Sequence, residues 1–431
     1  MDPVLTKHIG EPNAQTLDFS LQHGAYAGLR KALGMAPDEI IDWVKKSGLR
    51  GRGGAGFPTG MKWGFVPKDS PKAKYLCVNA DESEPGTFKD HVLMERNPHL
   101  FFEGCVIACR AIRAKVCYIY IRGEFYHLQR VLETELARAY EAGFVGANIL
   151  GSGEHVDIYI HRGAGAYEAG EETALIESLE GKRAQPRLKP PFPAVVGLYG
   201  CPTVVNNVET LCNVPLIFDR GWEWYAGIGP DKNTGPKLYC VSGHVNRPGV
   251  YEADMSVTLR QLIYDYAGGI PGGRQLKAVI PGGSSTNVLP ADKIDVAASF
   301  DGLVQAGSML GSAGIIVMDE TTSMVWVAKN LLHFYEHESC GKCTPCREGT
   351  DWLYKILSKV ERGEGELRDL GLLFSVADNI GGKTLCPFGD AVVPPVASTL
   401  QHFREDYETH VRVGRPPLPP WRAQEELIGA H

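Results

Sequence analysis

The sequence lacks the features that would assign the chain to a membrane-spanning, secreted or nucleic-acid-binding class. No run of 18 consecutive apolar residues occurs, so we expect no membrane-spanning helix. Residues 1–12 contain no apolar stretch of signal-peptide length, which predicts an intracellular protein. The net charge is only −7, and this mild acidity argues against the broad basic surface that nucleic-acid binding usually needs.

A disulfide framework is not expected either. The chain has 11 cysteines, an odd number, and a chain of this length without a secretion signal seldom relies on disulfides. Most of the cysteines stand among apolar residues, which predicts buried thiols that pack as small hydrophobic groups. These are Cys77, Cys105, Cys109, Cys117, Cys201, Cys212 and Cys240. The remaining four have a different spacing.

Strand-like and helix-like segments alternate in the first half of the chain. Short apolar runs at residues 75–79, 116–121 and 155–160 have the length of strands, and helical patterns cover residues 37–47, 100–112 and 126–142. This alternation predicts an α/β layer with a mostly parallel sheet. A proline-rich and basic stretch, residues 181–202, is expected to form an ordered loop over this layer.

The second half of the chain changes character twice. Short strands and turn pairs in residues 238–320 predict a small α+β domain, and the residues from 324 onward have a helical pattern that ends in one amphipathic stretch near 392–407. The proline-rich residues 415–421 are expected to form an extended tail. Because 431 residues exceed one ordinary core, we predict three domains, which are residues 1–236, 237–322 and 323–431.

Four cysteines near the C-terminal end form the strongest chemical signal. Cys340, Cys343 and Cys346 are three residues apart, and Cys386 follows between two predicted helices. Short gaps let one loop place several thiolates around one centre, while a distant fourth cysteine completes the set. This pattern favours one [4Fe–4S] cluster. The alternatives are structural zinc, whose ligands usually come from two separate arms, and unligated thiols.

A glycine-rich segment, residues 51–60, contains the spacing G-x-G-x-x-G at Gly51, Gly53 and Gly56. A predicted helix precedes this segment, whereas the dinucleotide fingerprint follows a strand, so we reject the ordinary Rossmann interpretation of the motif. Closely spaced glycines still let backbone amides approach a phosphate or a flat ring. The alternative is a flexible glycine turn without a ligand.

Polar side chains follow several of the predicted strands. Ligands gather at the carboxyl ends of strands in an open α/β sheet, so we expect these side chains to face one ligand site. Carboxylates there suit ribose hydroxyls or a ring amide better than phosphate. Taken singly, each acid is equally well explained as part of a solvated helix start. The side chains are Asn79, Asp81, Glu82, Glu84, Glu171, Glu172, Asn206 and Asn207.

Six segments together resemble one protein family. They are GRGGAGFPTGMKW at 51–63, NADESEPGTFKD at 79–90, GEETALIESLEG at 170–181, RLKPPFP at 187–193, PTVVNNVET at 202–210 and ESCGKCTPCREG at 338–349. This set is similar to the NADH-binding flavoprotein subunit of respiratory complex I, and the likeness extends over residues 17–407. The resemblance implies a Rossmann-like FMN domain without the usual fingerprint, a ubiquitin-like domain of the SLBB type, and a helical bundle that carries a [4Fe–4S] cluster.

Carried over motif by motif, the resemblance implies binding residues for FMN and for NADH. It also implies that hydride passes directly from NADH to FMN, without a catalytic side chain. Those expected to bind FMN are Gly51, Arg52, Gly53, Gly54, Lys62, Asn79, Asp81, Glu82, Tyr167, Gly170, Glu171, Glu172, Val205, Asn206 and Asn207. Those expected to bind NADH are Gly54, Ala55, Gly56, Phe57, Lys62, Phe65, Glu84, Glu172, Lys189 and Phe192. Within this set we expect Phe57 and Phe65 to stack on the adenine, and Glu84 and Glu172 to hold the nicotinamide end.

One segment departs from the pattern of the family. The family commonly reads GAYICGEE, whereas this chain reads GAYEAGEE at residues 165–172, so Glu168 and Ala169 replace an isoleucine and a cysteine. A thiol role at this point is therefore in doubt. The site itself is not, because Gly170, Glu171 and Glu172 are intact.

The resemblance implies that the chain oxidises NADH through FMN and passes single electrons through the cluster to partners that reduce quinone. The implied partners are a small thioredoxin-like subunit with a [2Fe–2S] cluster and a large subunit with several clusters, at the cytoplasmic face of the inner membrane. Two alternatives stay open. One is the same module in an NAD-reducing hydrogenase or an NAD-linked formate dehydrogenase, and the other is a zinc-bearing interaction protein.

Overall fold

The computed structural model describes residues 2–414, so the predicted tail at 415–421 lies outside the described residues. In the first region the helices are α1 (Leu17–Gln22), α2 (Ala27–Leu33), α3 (Pro37–Lys46), α4 (Thr59–Gly64), α5 (Asp90–Arg96), α6 (Pro98–Ile112), α7 (Tyr126–Glu141), α8 (Glu172–Leu179), α9 (Val208–Arg220) and α10 (Trp222–Ala226). The strands are β1 (Tyr75–Ala80), β2 (Val116–Ile121), β3 (Asp157–Arg162) and β4 (Thr203–Asn207).

These strands form one parallel sheet in the order β3-β2-β1-β4, which confirms the predicted α/β layer. Side chains alternate between its faces. Leu76 and Val78 enter the core that contains α6 and α9, whereas Cys77 and Val205 pack against α8. Strand β3 begins two residues later than predicted, because Val156 forms an isolated bridge with Gly146 outside the sheet. The strand order changes direction between β1 and β4, where open α/β sheets bind ligands.

The second region is a mixed sheet with short helices, as the sequence predicted. Its strands are β5 (Pro236–Gly243), β6 (Gly249–Asp254), β7 (Leu276–Ile280), β8 (Leu289–Pro290) and β9 (Gly314–Asp319), and its helices are α11 (Leu259–Gln261) and α12 (Phe300–Gln305). The sheet order is β6-β5-β9-β7-β8, and β5 and β9 are parallel neighbours. The N-terminal segment ties this region to the first, because the amides of Val4, Leu5 and Thr6 donate to the Glu252 carboxylate.

The third region is helical. Its helices are α13 (Met324–Glu338), α14 (Thr344–Glu361), α15 (Leu367–Ile380), α16 (Pro387–His402) and α17 (Arg404–Val413). Helix α15 lies within the helical pattern predicted from residue 324 onward, although its own limits were not predicted. The single amphipathic stretch expected near 392–407 is two helices that meet at Phe403. None of the helices within residues 2–414 is long and apolar enough to cross a membrane.

Candidate flavin cleft and iron–sulfur site

The ends of β1 and β4 define a crevice at the switch point of the parallel sheet. Asn79 and Asn207 are register partners there. The Asn79 side-chain amide donates to the Gly170 carbonyl at 2.7 Å, and its oxygen accepts from the Asp81 amide at 3.0 Å. Three predicted FMN residues are therefore joined by one side chain, and the loop after β3 is fixed to the end of β1.

The glycine-rich loop lies at the same edge and follows α3 rather than a strand, as the sequence indicated. The Gly51 amide donates to the Phe57 carbonyl at 2.9 Å, which folds residues 51–57 back on themselves. Gly54 has a φ of 140°, and a Cβ built there would meet nothing within 4 Å. A Cβ on Gly53 would lie 3.0 Å from the Asn207 Cβ. The loop thus brings bare backbone next to the β4 end and leaves open space at Gly54, the kind of approach that a flat ring or a phosphate requires.

The carboxyl group of Asp81 gives a test of whether a flavin fits this crevice. Its Oδ1 atom is buried and has no hydrogen-bond partner among the described protein groups. Burial raises the pKa of Asp81 to about 7. A buried acceptor without a partner is costly unless a ligand supplies the donor. The ribityl hydroxyls of FMN are donors of this kind, so the residues present fit the cofactor.

The Arg52 side chain lies in the core beneath the glycine-rich loop. Its side chain is fully buried and donates to the Tyr225 hydroxyl and the Thr234 carbonyl. Its backbone amide donates to Thr210 at 2.8 Å. The structure therefore directs this guanidinium into the core beneath the loop, and the predicted contact of Arg52 with FMN stays a prediction.

Glu82 and the two asparagines also have protein partners. The Glu82 carboxylate accepts from the backbone amides at the start of α5. The Asn207 amide donates to Asp90 at 2.7 Å, and the Asn206 oxygen accepts from the Trp63 indole at 2.8 Å. Val205 lies in the core against α8. In this structure these side chains position the strand ends, and their direct contacts with FMN stay predictions.

A buried ion-pair network, not predicted from the sequence, lies beneath the crevice. Lys237 pairs with Glu209 at 2.7 Å, and Lys89 pairs with both Glu209 and Asp90 at 2.8 Å. Burial alone would raise the pKa of Glu209, but the charges of Lys237 and Lys89 outweigh burial and lower this pKa to about 2. Burial is the main cause that lowers the pKa of Lys237 to about 8. The sequence signal that could have revealed this network is a charged residue inside an apolar run, such as Lys237 in β5.

A second charged group is half-exposed at the mouth of the crevice. Glu171 caps α8 by accepting from the amides of Thr173 and Ala174, and it pairs with Lys189 at 2.9 Å. Glu172 pairs with Lys62 at 3.1 Å and with Lys189 at 2.9 Å. Burial raises the pKa of Glu172, but the two lysines outweigh burial and hold it below its usual value. The predicted FMN and NADH residues of this group are therefore adjacent.

Three aromatic side chains stand exposed near this mouth. Phe57, Phe65 and Phe192 are 45%, 56% and 58% exposed, and the rings of Phe57 and Phe65 are 6.0 Å apart. A group of exposed rings close together marks a ligand or partner site more often than a single exposed ring does. Ala55 lies exposed in the loop, while Gly56 is buried against Phe300 of the second region.

Glu84 lies where the three regions of the chain meet. It accepts from the Tyr167 hydroxyl at 2.6 Å and from the amide and hydroxyl of Ser285. The Tyr167 ring in turn contacts Phe334 and Phe388 in the helical region. Both carboxylate oxygens of Glu84 thus have protein partners, and the predicted role of Glu84 in NADH binding stays a prediction.

The four cysteines of the C-terminal pattern lie at the N-terminal ends of two helices. Cys343 precedes α14 and Cys386 precedes α16, and each helix begins with a proline in its first turn. The Leu385 amide donates to the Cys343 sulfur at 3.3 Å, which joins the two segments. The positive ends of two helix dipoles therefore point toward the thiols, an arrangement that stabilises an anionic group.

The donor set of this site suits an iron–sulfur cluster, because all four side chains are free thiols and the N-terminal ends of two helices face them. Within residues 2–414, no three His, Cys, Asp or Glu side chains are arranged to hold a single metal ion. A cluster of four irons binds one thiolate at each iron. The residues present therefore fit a [4Fe–4S] cluster.

Glu168 reaches the cluster site from the flavin side. It is buried, and the Cys386 thiol donates to its Oε1 at 3.2 Å. Burial raises the pKa of Glu168 to about 7, and the nearby Glu171 carboxylate adds to the shift. The sequence marks this carboxylate as a departure from the family pattern, but no local signal indicates that it lies beside the cysteine.

The other cysteines behave mostly as predicted. Those in the first region and β5 are buried, except for half-buried Cys201, and all are free thiols. Burial raises the pKa of Cys77 and of Cys240 well above the usual value of a thiol. These cysteines are therefore unreactive core residues.

Models of three protein families match the chain. The Nuo51 FMN-binding domain matches residues 44–216, the SLBB domain matches 237–317, and the NADH-ubiquinone oxidoreductase-F iron-sulfur binding region matches 326–410. The last match spans all four cysteines, which decides between iron–sulfur and zinc. Fold and site together define a flavoprotein with one iron–sulfur cluster.

Similar proteins identify the family. An F subunit of NADH-quinone oxidoreductase in Rhizobium meliloti (strain 1021), numbered 2 in that organism, is 55% identical over 97% of this chain and 99% of its own length. The F subunit in Streptomyces coelicolor is 54% identical over 95% of this chain and 91% of its own length. A chain in the crystal structure of NAD+-reducing [NiFe]-hydrogenase in the air-oxidized state has a TM-score of 0.84 and 36% identity, over 99% of this chain and 70% of that chain. The chain belongs to the family of NADH-quinone oxidoreductase F subunits, and its cofactors are FMN and a [4Fe–4S] cluster, with NADH as substrate.

Proposed function

We propose that this chain oxidises NADH at the crevice between β1 and β4 and passes the electrons to partner subunits of a quinone-reducing complex. The observation that carries the proposal is the position of residues 167–172. This one loop fixes Gly170 to Asn79 at the crevice and places Glu168 against Cys386. When bound, FMN supplies the hydride acceptor, and the cluster supplies the one-electron exit.

The open backbone of the glycine loop and the ends of β1 and β4 would hold FMN. Asp81 and Asn79 offer polar groups at the strand end, and Gly54 leaves room for the ring. Lys62 pairs with Glu172 at 3.1 Å, so these two side chains together determine the charge at the mouth of the crevice. The remaining predicted FMN residues, including Arg52, Glu82 and Asn207, would act by fixing this geometry.

The exposed aromatic side chains would receive the adenine of NADH. Phe57 and Phe65 stand at the mouth with Phe192, and Lys189 lies between the two acids of α8. We propose that the ribose and the nicotinamide of NADH bind near Glu172 and that Glu84 lies deeper in the crevice. Carboxylates near the ribose favour hydroxyls over a 2′-phosphate, so we expect NADH to be preferred over NADPH.

Electrons must leave the cluster through a partner subunit. The four ligand cysteines are the one cluster-binding set in the sequence, because the remaining cysteines are scattered singly. We propose a small thioredoxin-like subunit with a [2Fe–2S] cluster and a large subunit with several clusters as these partners, at the cytoplasmic face of the membrane. The likeness to the NAD+-reducing hydrogenase chain supports a second candidate, a diaphorase, but its identity of 36% is lower than the 55% of the quinone oxidoreductase relative.

We further propose that the domains end at residues 236 and 322 and that the second one has a ubiquitin-like fold. The parallel pairing of β5 with β9, flanked by antiparallel neighbours, supports that fold. The start of β5 at Pro236 and of α13 at Met324 lie close to the proposed limits.

The function is tested on the isolated full chain by quantifying flavin and iron and measuring NADH oxidation with ferricyanide. We expect one FMN and one four-iron cluster per chain and NADH-dependent ferricyanide reduction. NADPH serves as the matched control substrate. A colourless protein without NADH-dependent activity would contradict the proposal.

A further inference from the structure

Three asparagine side chains at the ends of β1 and β4 differ in how many of their polar atoms the protein uses. The Asn79 amide uses both, because its nitrogen donates to a backbone carbonyl and its oxygen accepts from a backbone amide. The Asn207 amide also uses both, since its nitrogen donates to Asp90 and its oxygen accepts from a backbone amide in α9. Asn206 is the exception, because only its oxygen has a protein partner.

The Asn206 amide nitrogen is a donor without an acceptor. Asn206 is 6% exposed, and within residues 2–414 its nitrogen forms no hydrogen bond. A donor in a residue this buried has little access to water, so the lack of a partner is costly unless a ligand supplies an acceptor. The nitrogen is not among the fully enclosed polar atoms of the described protein, so a ligand can reach it.

The indole of Trp63 determines which way this amide group faces. Trp63 is fully buried in α4, the helix that follows the glycine-rich loop, and its N–H donates to the Asn206 oxygen at 2.8 Å. An indole nitrogen can only donate, so it pairs with the amide oxygen and not with the amide nitrogen. Turning the amide by half a rotation would bring two donors together. The Asn206 nitrogen therefore faces away from Trp63.

We propose that Trp63 is a positioning residue, which fixes the Asn206 amide so that its nitrogen donates to an oxygen acceptor of FMN. Because it needs a flavin in the crevice between β1 and β4, this inference rests on the proposed function. The glycine-rich loop already lies beside the same strand end, since a Cβ on Gly53 would be 3.0 Å from the Asn207 Cβ. The loop and the helix that follows it thus act on one strand end, the loop through bare backbone and α4 through the indole.

The test is a titration of the full chain, from which FMN has been removed, with FMN and with flavin fluorescence as the readout. Asn206→Ala removes the donor, and we expect the Kd for FMN to rise about tenfold. Trp63→Phe removes the indole N–H and keeps most of the aromatic volume, so the amide can turn, and we expect a rise of about fivefold. Trp43→Phe is the matched control, because the Trp43 ring packs against the same core and stacks on Phe218. We expect its Kd to be unchanged.

The double variant Trp63→Phe/Asn206→Ala separates positioning from a purely structural role. If Trp63 acts through Asn206, its substitution has no further effect once the amide is gone. The Kd of the double variant should then equal that of Asn206→Ala within about twofold. Chemical unfolding of each flavin-free variant measures stability separately. A further fivefold loss in the double variant would show that Trp63 supports the crevice only as a core residue, and this would overturn the inference.

Asn206→Asp tests the direction of the hydrogen bond. It keeps an oxygen that accepts from Trp63 and replaces the NH₂ group by a second oxygen. At a pH well above the ordinary range of carboxyl pKa values, this oxygen cannot donate and would face an oxygen of FMN. We therefore expect FMN affinity to fall further than in Asn206→Ala. Affinity equal to that of the unchanged chain would show that this position accepts from FMN, which contradicts the proposed orientation.

Riboflavin identifies the oxygen that accepts from Asn206, because riboflavin has the ring and the ribityl chain of FMN but no phosphate. A loss of affinity for both flavins in Asn206→Ala assigns the acceptor to the ring or the ribityl chain, and a loss for FMN alone assigns it to the phosphate. If the unchanged chain binds FMN and both single variants bind it equally well, the inference alone fails. If the unchanged chain binds no FMN, the proposed function fails and the inference fails with it.

Discussion

The cluster site and the flavin cleft are built in opposite ways. At the cluster site, the side chains that the sequence singled out are themselves the binding groups, and they stand at the ends of two helices with few protein partners. In the cleft, many of the predicted side chains, among them Arg52, Glu82 and Asn207, bind other parts of the protein. Backbone and open space are left for the ligand. Metal ligation therefore depends on residue type, whereas flavin binding depends on the shape that buried side chains maintain.

The difference extends to electrostatics. The cluster site gains positive potential from helix termini, which need no charged side chain. The cleft rests on the buried pairs of Lys89, Asp90, Glu209 and Lys237, and its mouth is lined by half-exposed pairs. Removing one partner of a buried pair leaves a charge without compensation. We therefore expect losses at the cluster site to be local and losses beneath the cleft to affect the whole fold.

Cys386→Ser is the change with the largest expected effect. It removes one thiolate ligand, so we expect loss of the cluster EPR signal and of electron transfer to partner subunits. FMN content and NADH–ferricyanide activity should persist, because the cleft does not depend on this thiol. Cys201→Ser is the control and should leave both sites intact. Loss of FMN together with the cluster would contradict the expectation that the two sites are independent of each other.

Lys237→Met tests the support beneath the cleft. Breaking a buried ion pair costs about 3–5 kcal/mol, and we expect the lower end because Lys89 still pairs with Glu209. Chemical unfolding monitored by circular dichroism measures the change in the free energy of unfolding. Lys46→Met removes an exposed partner of Asp42 and should leave the unfolding midpoint unchanged. Equal effects of the two substitutions would mean that the buried network contributes no more than a surface pair.

Gly54→Ala tests the open backbone at the cleft. The φ of 140° costs an alanine about 1–3 kcal/mol, and the methyl group enters the space proposed for FMN. We expect FMN affinity to fall about tenfold or more, a loss of about 1.4 kcal/mol or more, as measured by flavin fluorescence. Gly151→Ala is matched, because Gly151 also has a positive φ and an open Cβ position away from the cleft. Similar FMN affinity in the two variants would refute the assigned position of the flavin.

Glu172→Gln has the smallest expected effect. It removes one negative charge from the mouth, so we expect the ratio of kcat/KM for NADPH to that for NADH to rise about tenfold, equivalent to about 1.4 kcal/mol. Steady-state ferricyanide reduction with both nucleotides measures this ratio. Glu364→Gln, which removes an exposed partner of Arg362 in the helical region, serves as control. An unchanged ratio would show that Glu172 does not contribute to the preference for NADH over NADPH.

Part of the fold was predictable because its signals are local. The strands β1 and β2 and the helices α3, α6 and α7 have clear apolar patterns, and their limits agree with the sequence analysis to within a few residues. Helix α15 lies within the predicted helical pattern from residue 324 onward, but its own limits were not predicted. The split at Phe403 was also missed, because two consecutive helices share one amphipathic pattern.

The class of the cluster site and the family of the chain follow from local residue patterns. Thiolate spacing is a property of neighbouring residues, so the set Cys340, Cys343, Cys346 and Cys386 is visible without a structure. Tertiary packing determines which polar side chains at the crevice have protein partners. It also brought Glu168 to Cys386, because that contact spans 218 positions along the chain and exists only when the flavin region packs against the helical region.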